Sequence, residues 1–159
     1  MYKATRIFIA ERQKFCKLNL EVVRVDKVGG GKANDCSNNA LDATENGDEV
    51  RTITGWLVHP YDKLTDTTEI VQHWWNKDSS GRYFDTSPGV DDDCEYVVDL
   101  DLIHYFRQNY DNINNNVAIS LVLSNEKFIG VDEDKSSPNG LRRFPISSLS
   151  TDVLYRHKP

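Results

Sequence analysis

Polar and apolar residues alternate along the middle of the chain in two segments rich in Val, Ile, Thr and Trp. The segments "EVRTITGWLVHP" (49–60) and "TTEIVQHWWN" (67–76) are bounded by turn residues, and their period close to two predicts strands. The turn residues that follow lead into "RYFDT" (82–86), which predicts a hairpin. The alternation places His73 and Trp75 on one face of the second strand.

Helical patterns flank these strands on both sides. The short segment "CSNNALDATEN" (36–46) follows a glycine-rich polar passage, which predicts a brief helix with Cys36 near its start. The segment "DLDLIHYFRQNY" (99–110) repeats apolar residues at helical spacing as far as Tyr110 and predicts an amphipathic helix. Between them, "GVDDDCEY" (89–96) is typical of an acidic loop.

The two ends of the chain carry weaker patterns. "NVAISLVLS" (116–124) and "KFIGV" (127–131) predict strands, and the tail (142–155) is expected to close the sheet. In the N-terminal part (6–25) only "LEVVRV" (20–25) indicates extended structure, and the rest fits helix or strand. The sequence therefore predicts an α+β fold in one domain, residues 1–159.

Charge and composition exclude several classes of function. With 25 acidic against 19 basic residues the formal charge is -6, so the protein repels phosphate backbones and we expect no nucleic-acid partner. No segment approaches the roughly 20 apolar residues of a membrane span, and the charged N-terminus does not resemble a signal peptide. We therefore expect no membrane association and a soluble, cytoplasmic protein.

Metal and cofactor motifs are not recognised in the sequence. The three cysteines are scattered without a Cys-x-x-Cys pair, and "DDDCE" (91–95) lacks the oxygen-ligand spacing of a calcium loop. "GGGK" (29–32) lacks the remaining spacing of a phosphate-binding loop. The sequence predicts no metal and no cofactor.

One cysteine, one histidine and one aspartate are placed for nucleophilic chemistry. A helix start and a nearby imidazolium lower the pKa of a thiol, and Cys36 is predicted at such a helix start. A carboxylate on a neighbouring strand orients the imidazole, and the predicted hairpin brings Asp85 across from His73. For Cys16 and Cys94 a buried, unreactive thiol is the stronger interpretation.

The order of these motifs resembles a known family. "DCSNNA" around Cys36, "GW" at 55–56, "QHWWN" around His73 and "GRYFDTSP" ending in Asp85 together resemble the transglutaminase-like branch of the papain-like cysteine protease superfamily. The resemblance spans residues 34–88, about a third of the chain. It implies a cysteine-bearing helix packed on an antiparallel sheet, and a Cys-His-Asp triad that acts through a thioester.

The predicted substrates are protein, peptide or small amide or ester molecules, either hydrolysed or used for acyl transfer. The backbone N–H of Cys36 is a natural donor to the oxyanion, and Asn34 is the candidate for a second donor. Trp56 and Trp75 are the other candidates for the oxyanion or substrate site, although core packing is an open alternative for Trp75.

A second class of function remains open. A small acidic binding or inhibitor protein would bury Cys36 and use its acidic residues as a contact surface. The Asn-rich stretch (109–117) and the small size suit an accessory protein of a virus or mobile element, which would place it in the host cytoplasm. The two classes differ in whether the thiol of Cys36 is needed for the effect.

Overall fold

The computed structural model describes residues 1–45, 49–109 and 119–155, which form an α+β fold with a mostly antiparallel, open sheet. Its helices are α1 Lys3–Gln13, α2 Cys36–Glu45, α3 Leu100–Asn109 and α4 Thr151–Tyr155. Its strands are β1 Glu21–Val23, β2 Val25–Lys27, β3 Arg51–Val58, β4 Thr68–Lys77, β5 Tyr83–Asp85, β6 Glu95–Val98, β7 Ser120–Ser124, β8 Lys127–Glu133 and β9 Leu141–Pro145. The predicted fold class is confirmed at this level.

Strands β3 and β4 form the centre of the sheet. Their antiparallel pairing runs from Arg51 opposite Lys77 to Val58 opposite Ile70. The strand order is β1-β6-β3-β4-β7-β8-β9, and β5 pairs with the end of β4 while β2 pairs with β5 in parallel. The predicted hairpin between β4 and β5 is therefore present, and the tail contributes β9 to the sheet as expected.

The alternation of side chains along β3 and β4 divides the core into two apolar clusters. Trp56 and Trp74 lie in the larger cluster, which also contains buried residues of all four described helices. Trp75 and Tyr96 lie in the smaller cluster. Because successive side chains of a strand point to opposite faces, His73 shares the side of Trp75. The helices thus pack mainly on the face of the larger cluster, and His73 belongs to the other face, to which α3 contributes Ile103.

A glycine on β3 allows this packing beside His73. Gly55 lies directly opposite His73 in the register of β3 and β4. A Cβ atom at Gly55 would approach the carbonyl oxygen of Val97 to 1.9 Å and the Trp75 ring to 3.0 Å. No larger residue fits there without displacing β6, so the Gly-Trp pair of β3 has a packing role.

A buried ion pair connects α1 to the start of α3. The Arg12 side chain is fully buried and donates from Nε to Asp99 Oδ2 at 2.9 Å. It also donates to the carbonyl of Leu149 at 2.9 Å. Asp99 accepts further hydrogen bonds from the Trp56 indole at 2.9 Å and from the Leu102 backbone at 3.0 Å. The charges are therefore paired and hydrogen-bonded, as burial requires.

Most predicted elements are found, with one clear error. The expected acidic loop (89–96) continues into β6, whose four residues pair with β3 and whose last three also pair with β1. The ambiguous N-terminal segment forms α1 and then two short strands. Tyr110 of the predicted helix and residues 116–118 of a predicted strand lie outside the described residues. Among the described helices, none is both long and apolar enough to span a membrane.

Candidate functional site

Cys36 is the first residue of α2. The preceding residue, Asp35, accepts the Asn39 backbone N–H on its carbonyl and the Asn38 side-chain amide on its carboxylate. Asn34 has a left-handed backbone with a φ of 55°, which turns the chain into the helix. The first N–H groups of a helix have no partner within it, so Cys36 lies in a region of positive potential.

His73 and Asp85 form a buried hydrogen bond between β4 and β5. The Nε2 atom of His73 lies 2.7 Å from Oδ2 of Asp85, and both side chains are almost fully buried. The same carboxylate accepts the Tyr96 hydroxyl at 2.8 Å and the Ser87 backbone N–H at 2.8 Å. Burial opposes ionisation of Asp85, but the hydrogen bond and positive charge of His73 lower its pKa, with help from Ser87 and Tyr96. Asp85 is therefore a carboxylate held in one orientation.

The imidazole of His73 is held in its charged form. Burial alone would lower its pKa, but the hydrogen bonds to Asp85 and Cys36 and their negative charges raise the pKa to about 9. The Trp75 ring stacks along it at 6.1 Å between centroids, and Tyr96 packs edge-on at 6.1 Å. These rings exclude water and fix the plane of the imidazole.

The thiol of Cys36 is the second hydrogen-bonding partner of the His73 imidazole. Because Nε2 of His73 is bonded to Asp85, the atom left for Cys36 is Nδ1. Burial would raise the pKa of Cys36, but hydrogen bonding and charge from His73, with the backbone N–H of Trp74, lower it. The opposite holds for Cys16, whose pKa burial raises to about 12, and for Cys94, whose pKa burial also raises. Cys36 alone among the three cysteines is biased toward the thiolate.

The sulfur of Cys36 lies at an interruption in the sheet. Along one edge of β4, β7 pairs with residues 68–71 and β5 pairs with residues 76–77. Among the described residues no strand pairs with Trp74 on that edge, and its N–H is directed to the sulfur of Cys36. The helix start therefore takes a place between two strands, and this brings Cys36 to His73.

Cys36 and His73 line one cavity of about 700 Å³. Its apolar lining comes from strand residues such as Leu57, Val71 and Val131. The loop after Asp85 contributes another part of the wall. A volume of this size admits a peptide side chain or a small molecule, and the reactive pair lies within reach of it.

The other predicted site residues are Asn34, Trp75 and Trp56, and they differ in their position relative to the cavity. Asn34 lines the cavity beside Cys36 and is exposed. Trp75 is fully buried and packs against the imidazole. Trp56 is fully buried in the larger core cluster, where its indole N–H donates to Asp99, and it does not line this cavity. The structure thus brings Asn34 to the pair and leaves Trp56 on the other side of the sheet.

Gln72 also lines the cavity, but its amide is held by a hydrogen-bond network. The Thr54 hydroxyl donates its single proton to the His73 carbonyl at 2.7 Å, so it can only accept from Gln72. The Gln72 Nε2 atom therefore donates to Thr54, and Oε1 is left without a protein partner. The amide nitrogen also donates to the His73 carbonyl at 3.4 Å, so in this arrangement Gln72 presents no free N–H to an oxyanion.

Cys16, Asp99 and Asp101 form the group of potential metal ligands within the described part of the chain. Their ligand atoms lie within 4.8 Å of one another. The Asp99 carboxylate is already bonded to Arg12, and Asp101 accepts two backbone N–H groups near Cys16. This environment suits hydrogen bonding and does not indicate a metal centre.

Three residues that support the triad were not predicted from the sequence. Tyr96 and Ser87 hold Asp85, and Asn39 bonds both the glycine-rich loop at Lys32 and the loop at Ser87. The sequence predicts a loop at Tyr96, because β6 is short and follows an acidic run. The one sequence signal for Asn39 is an amide within the first turns of a helix that follows flexible glycines.

Comparison of the chain with protein-family models, with curated proteins and with solved structures finds no significant match. The comparisons therefore assign the chain to no family. The transglutaminase-like resemblance and the papain-like core stay predictions from sequence motifs.

Proposed function

We propose that this protein is a thiol-dependent acyl enzyme that acts through Cys36, His73 and Asp85. The observation that carries the proposal is the convergence of an activated thiol and an oriented, charged imidazole on one cavity. Perturbed pKa values of a specific pair inside a cleft are typical of functional sites. The buried Asp85 carboxylate supports the imidazolium, as a triad requires.

In the proposed reaction each residue has one role. The Cys36 thiolate attacks the carbonyl carbon of an amide or ester, and the new C–S bond gives a tetrahedral oxyanion. His73 donates the proton on Nδ1 to the leaving nitrogen or oxygen, and the C–N or C–O bond breaks to leave a thioester. Water or an amine then attacks the thioester, gives its proton to His73, and releases Cys36 as the thiolate.

The oxyanion requires hydrogen-bond donors close to Cys36. The backbone N–H of Cys36 lies at the start of α2, where helix geometry leaves it without an intrahelical acceptor. The exposed side-chain amide of Asn34 lines the same cavity and is the proposed second donor. The proposed substrate class is a protein, a peptide or a small amide or ester.

The proposal is tested with an activated ester, p-nitrophenyl acetate, and mass spectrometry of the protein. We expect a burst of p-nitrophenolate close to one equivalent per chain and an acetyl group on Cys36. Cys36→Ala and His73→Ala should each abolish the burst. Asp85→Asn should reduce the rate of the burst by a factor that is about one or two orders of magnitude smaller than for these two variants. The reason is that the imidazole stays present but loses its orientation.

Cys94→Ala provides the matched control, because this cysteine is also partly buried and contacts a histidine ring, His59, at 3.5 Å. It should leave the burst unchanged. Acetylation that persists in folded Cys36→Ala at the wild-type rate would refute the proposed function and favour a binding protein in which Cys36 is a structural thiol. Circular dichroism of each variant establishes that it is folded.

A further inference from the structure

Three carboxylates line the cavity that contains Cys36 and His73. Asp35, Asp132 and Glu133 line it, and no lysine or arginine does so within the described residues. Asp35 directly precedes the nucleophile proposed above, while Asp132 and Glu133 are the last two residues of β8. Two separate elements therefore contribute negative charge to the same space.

Within the described residues, two of these three carboxylates form no ion pair with a cation. Asp132 forms an ion pair with Arg142 at 3.3 Å. Asp35 accepts a hydrogen bond from the neutral amide of Asn38, which orients the carboxylate and leaves its charge. Glu133 is exposed and forms no ion pair within the described part of the chain. The lining of the cavity therefore carries an excess of negative charge.

One cation that contacts the cavity wall, Lys27, is already bound. Lys27 donates to the carbonyl of Val90, which lines the cavity, and pairs with Asp92 at 3.1 Å. The ion pair between the Cys36 thiolate and the His73 imidazolium is neutral as a whole. Neither feature offers a site for an anionic substrate.

We propose that this cavity selects substrates with a positive charge next to the reacting carbonyl, such as a lysine or arginine side chain of a peptide. The inference deepens the proposed function and rests on it. Leu57, Val71, Val131 and Leu141 provide the apolar wall against which the methylene stem of such a side chain packs. Asp35 and Glu133 provide the carboxylates that its cationic end meets.

The test measures how fast Cys36 reacts with three methanethiosulfonates that differ in charge. Trimethylammonioethyl, methyl and sulfonatoethyl methanethiosulfonate are cationic, neutral and anionic, and each forms a mixed disulfide with the thiolate while methanesulfinate leaves. Rates at Cys36 are obtained by peptide mapping at low salt and are divided by the rates of a small free thiol. We expect the cationic reagent to react at least about tenfold faster than the anionic one, from roughly threefold or more for each uncompensated carboxylate.

Glu133→Gln should reduce this preference by about threefold, and added salt should reduce it further. Glu126→Gln is the matched control, because Glu126 is exposed in the turn at the opposite end of β8 and makes the same change in net charge. An equal effect of both substitutions would overturn the proposal, because the overall charge of -6 would then explain the preference. No preference between the charged reagents would also overturn it.

The neutral reagent separates this inference from the proposed function. In one outcome the neutral reagent labels Cys36 fast at mildly acidic pH while the two charged reagents react at equal rates. That result would agree with an activated thiol and would refute only the proposed substrate class. Slow neutral labelling, no faster than that of Cys94, would refute the activated thiol itself and the inference with it.

Discussion

The rate of alkylation at Cys36 should be nearly independent of pH over a wide interval. The imidazolium of His73 lowers the pKa of Cys36, and the thiolate in turn helps to raise the pKa of His73 to about 9. The ion pair therefore persists from the lowered pKa of the thiol up to about pH 9. Below that interval the thiolate is protonated and the rate falls; within it the rate forms a plateau.

A comparison with Cys16 gives the expected difference in alkylation rate. Burial raises the pKa of Cys16 from 9.0 to about 12, so near neutral pH its thiolate fraction is about a thousandfold smaller than that of an ordinary cysteine. The more basic thiolate is intrinsically about 15- to 30-fold more nucleophilic, which leaves Cys16 slower than an ordinary cysteine by about 30- to 60-fold. Cys36, whose pKa is lowered, should exceed Cys16 by more than this factor at pH 6.

The assay is alkylation with iodoacetamide from pH 5 to 9, followed by peptide mapping of each cysteine. His73→Ala should slow Cys36 at pH 6 and give it a rate that rises about tenfold per pH unit, as for an ordinary thiol below its pKa. His104→Ala, at an exposed histidine of α3, should leave the plateau unchanged. A wild-type Cys36 rate that rises in parallel with that of Cys16 across this range would refute the ion pair.

Two further predictions concern stability and are measured by urea unfolding. Arg12→Ala should lower the free energy of unfolding by about 3–5 kcal/mol, because it leaves the Asp99 carboxylate buried without its cation. Lys14→Ala removes an exposed ion pair and should change this free energy by no more than about 0.5 kcal/mol. Equal costs would contradict the structural role of the buried pair. Gly55→Ala should lower the free energy of unfolding by about 1–3 kcal/mol, because the added Cβ would meet a carbonyl oxygen of β6 at 1.9 Å. Because Gly55 lies opposite His73, the same substitution should also slow labelling of Cys36. Unchanged stability would show that β6 can move freely.

The part of the site that the sequence predicts is the part made by local structure. A polar passage before a short apolar pattern predicts the helix start at Cys36, and period-two alternation predicts the strands of His73 and Asp85. The distance between these strands along the chain is short, so a hairpin is enough to bring the imidazole and the carboxylate together. The roles of the three residues in catalysis stay a prediction.

The part that sequence reasoning missed depends on contacts between distant segments. Tyr96 reaches Asp85 only because β6 inserts between β1 and β3, and a four-residue strand after an acidic run gives a weak signal. The burial of Arg12 is contrary to the usual exposure of arginine, and only the position of Asp99 in the fold explains it. The parallel pairing of β2 with β5 likewise has no local signature.

The hydrogen bonds of Asp85 have a consequence for how protons travel during the proposed reaction. Nε2 of His73 is fixed on this carboxylate, so the ring exchanges protons with sulfur, leaving group and water through one atom, Nδ1. Acylation and deacylation then follow the same proton path in opposite directions, and the imidazole needs no rotation between them. Trp75 and Tyr96, which hold the ring from two sides, would make such a rotation costly, so a rigid base suits a reaction that returns to its starting state after each turnover.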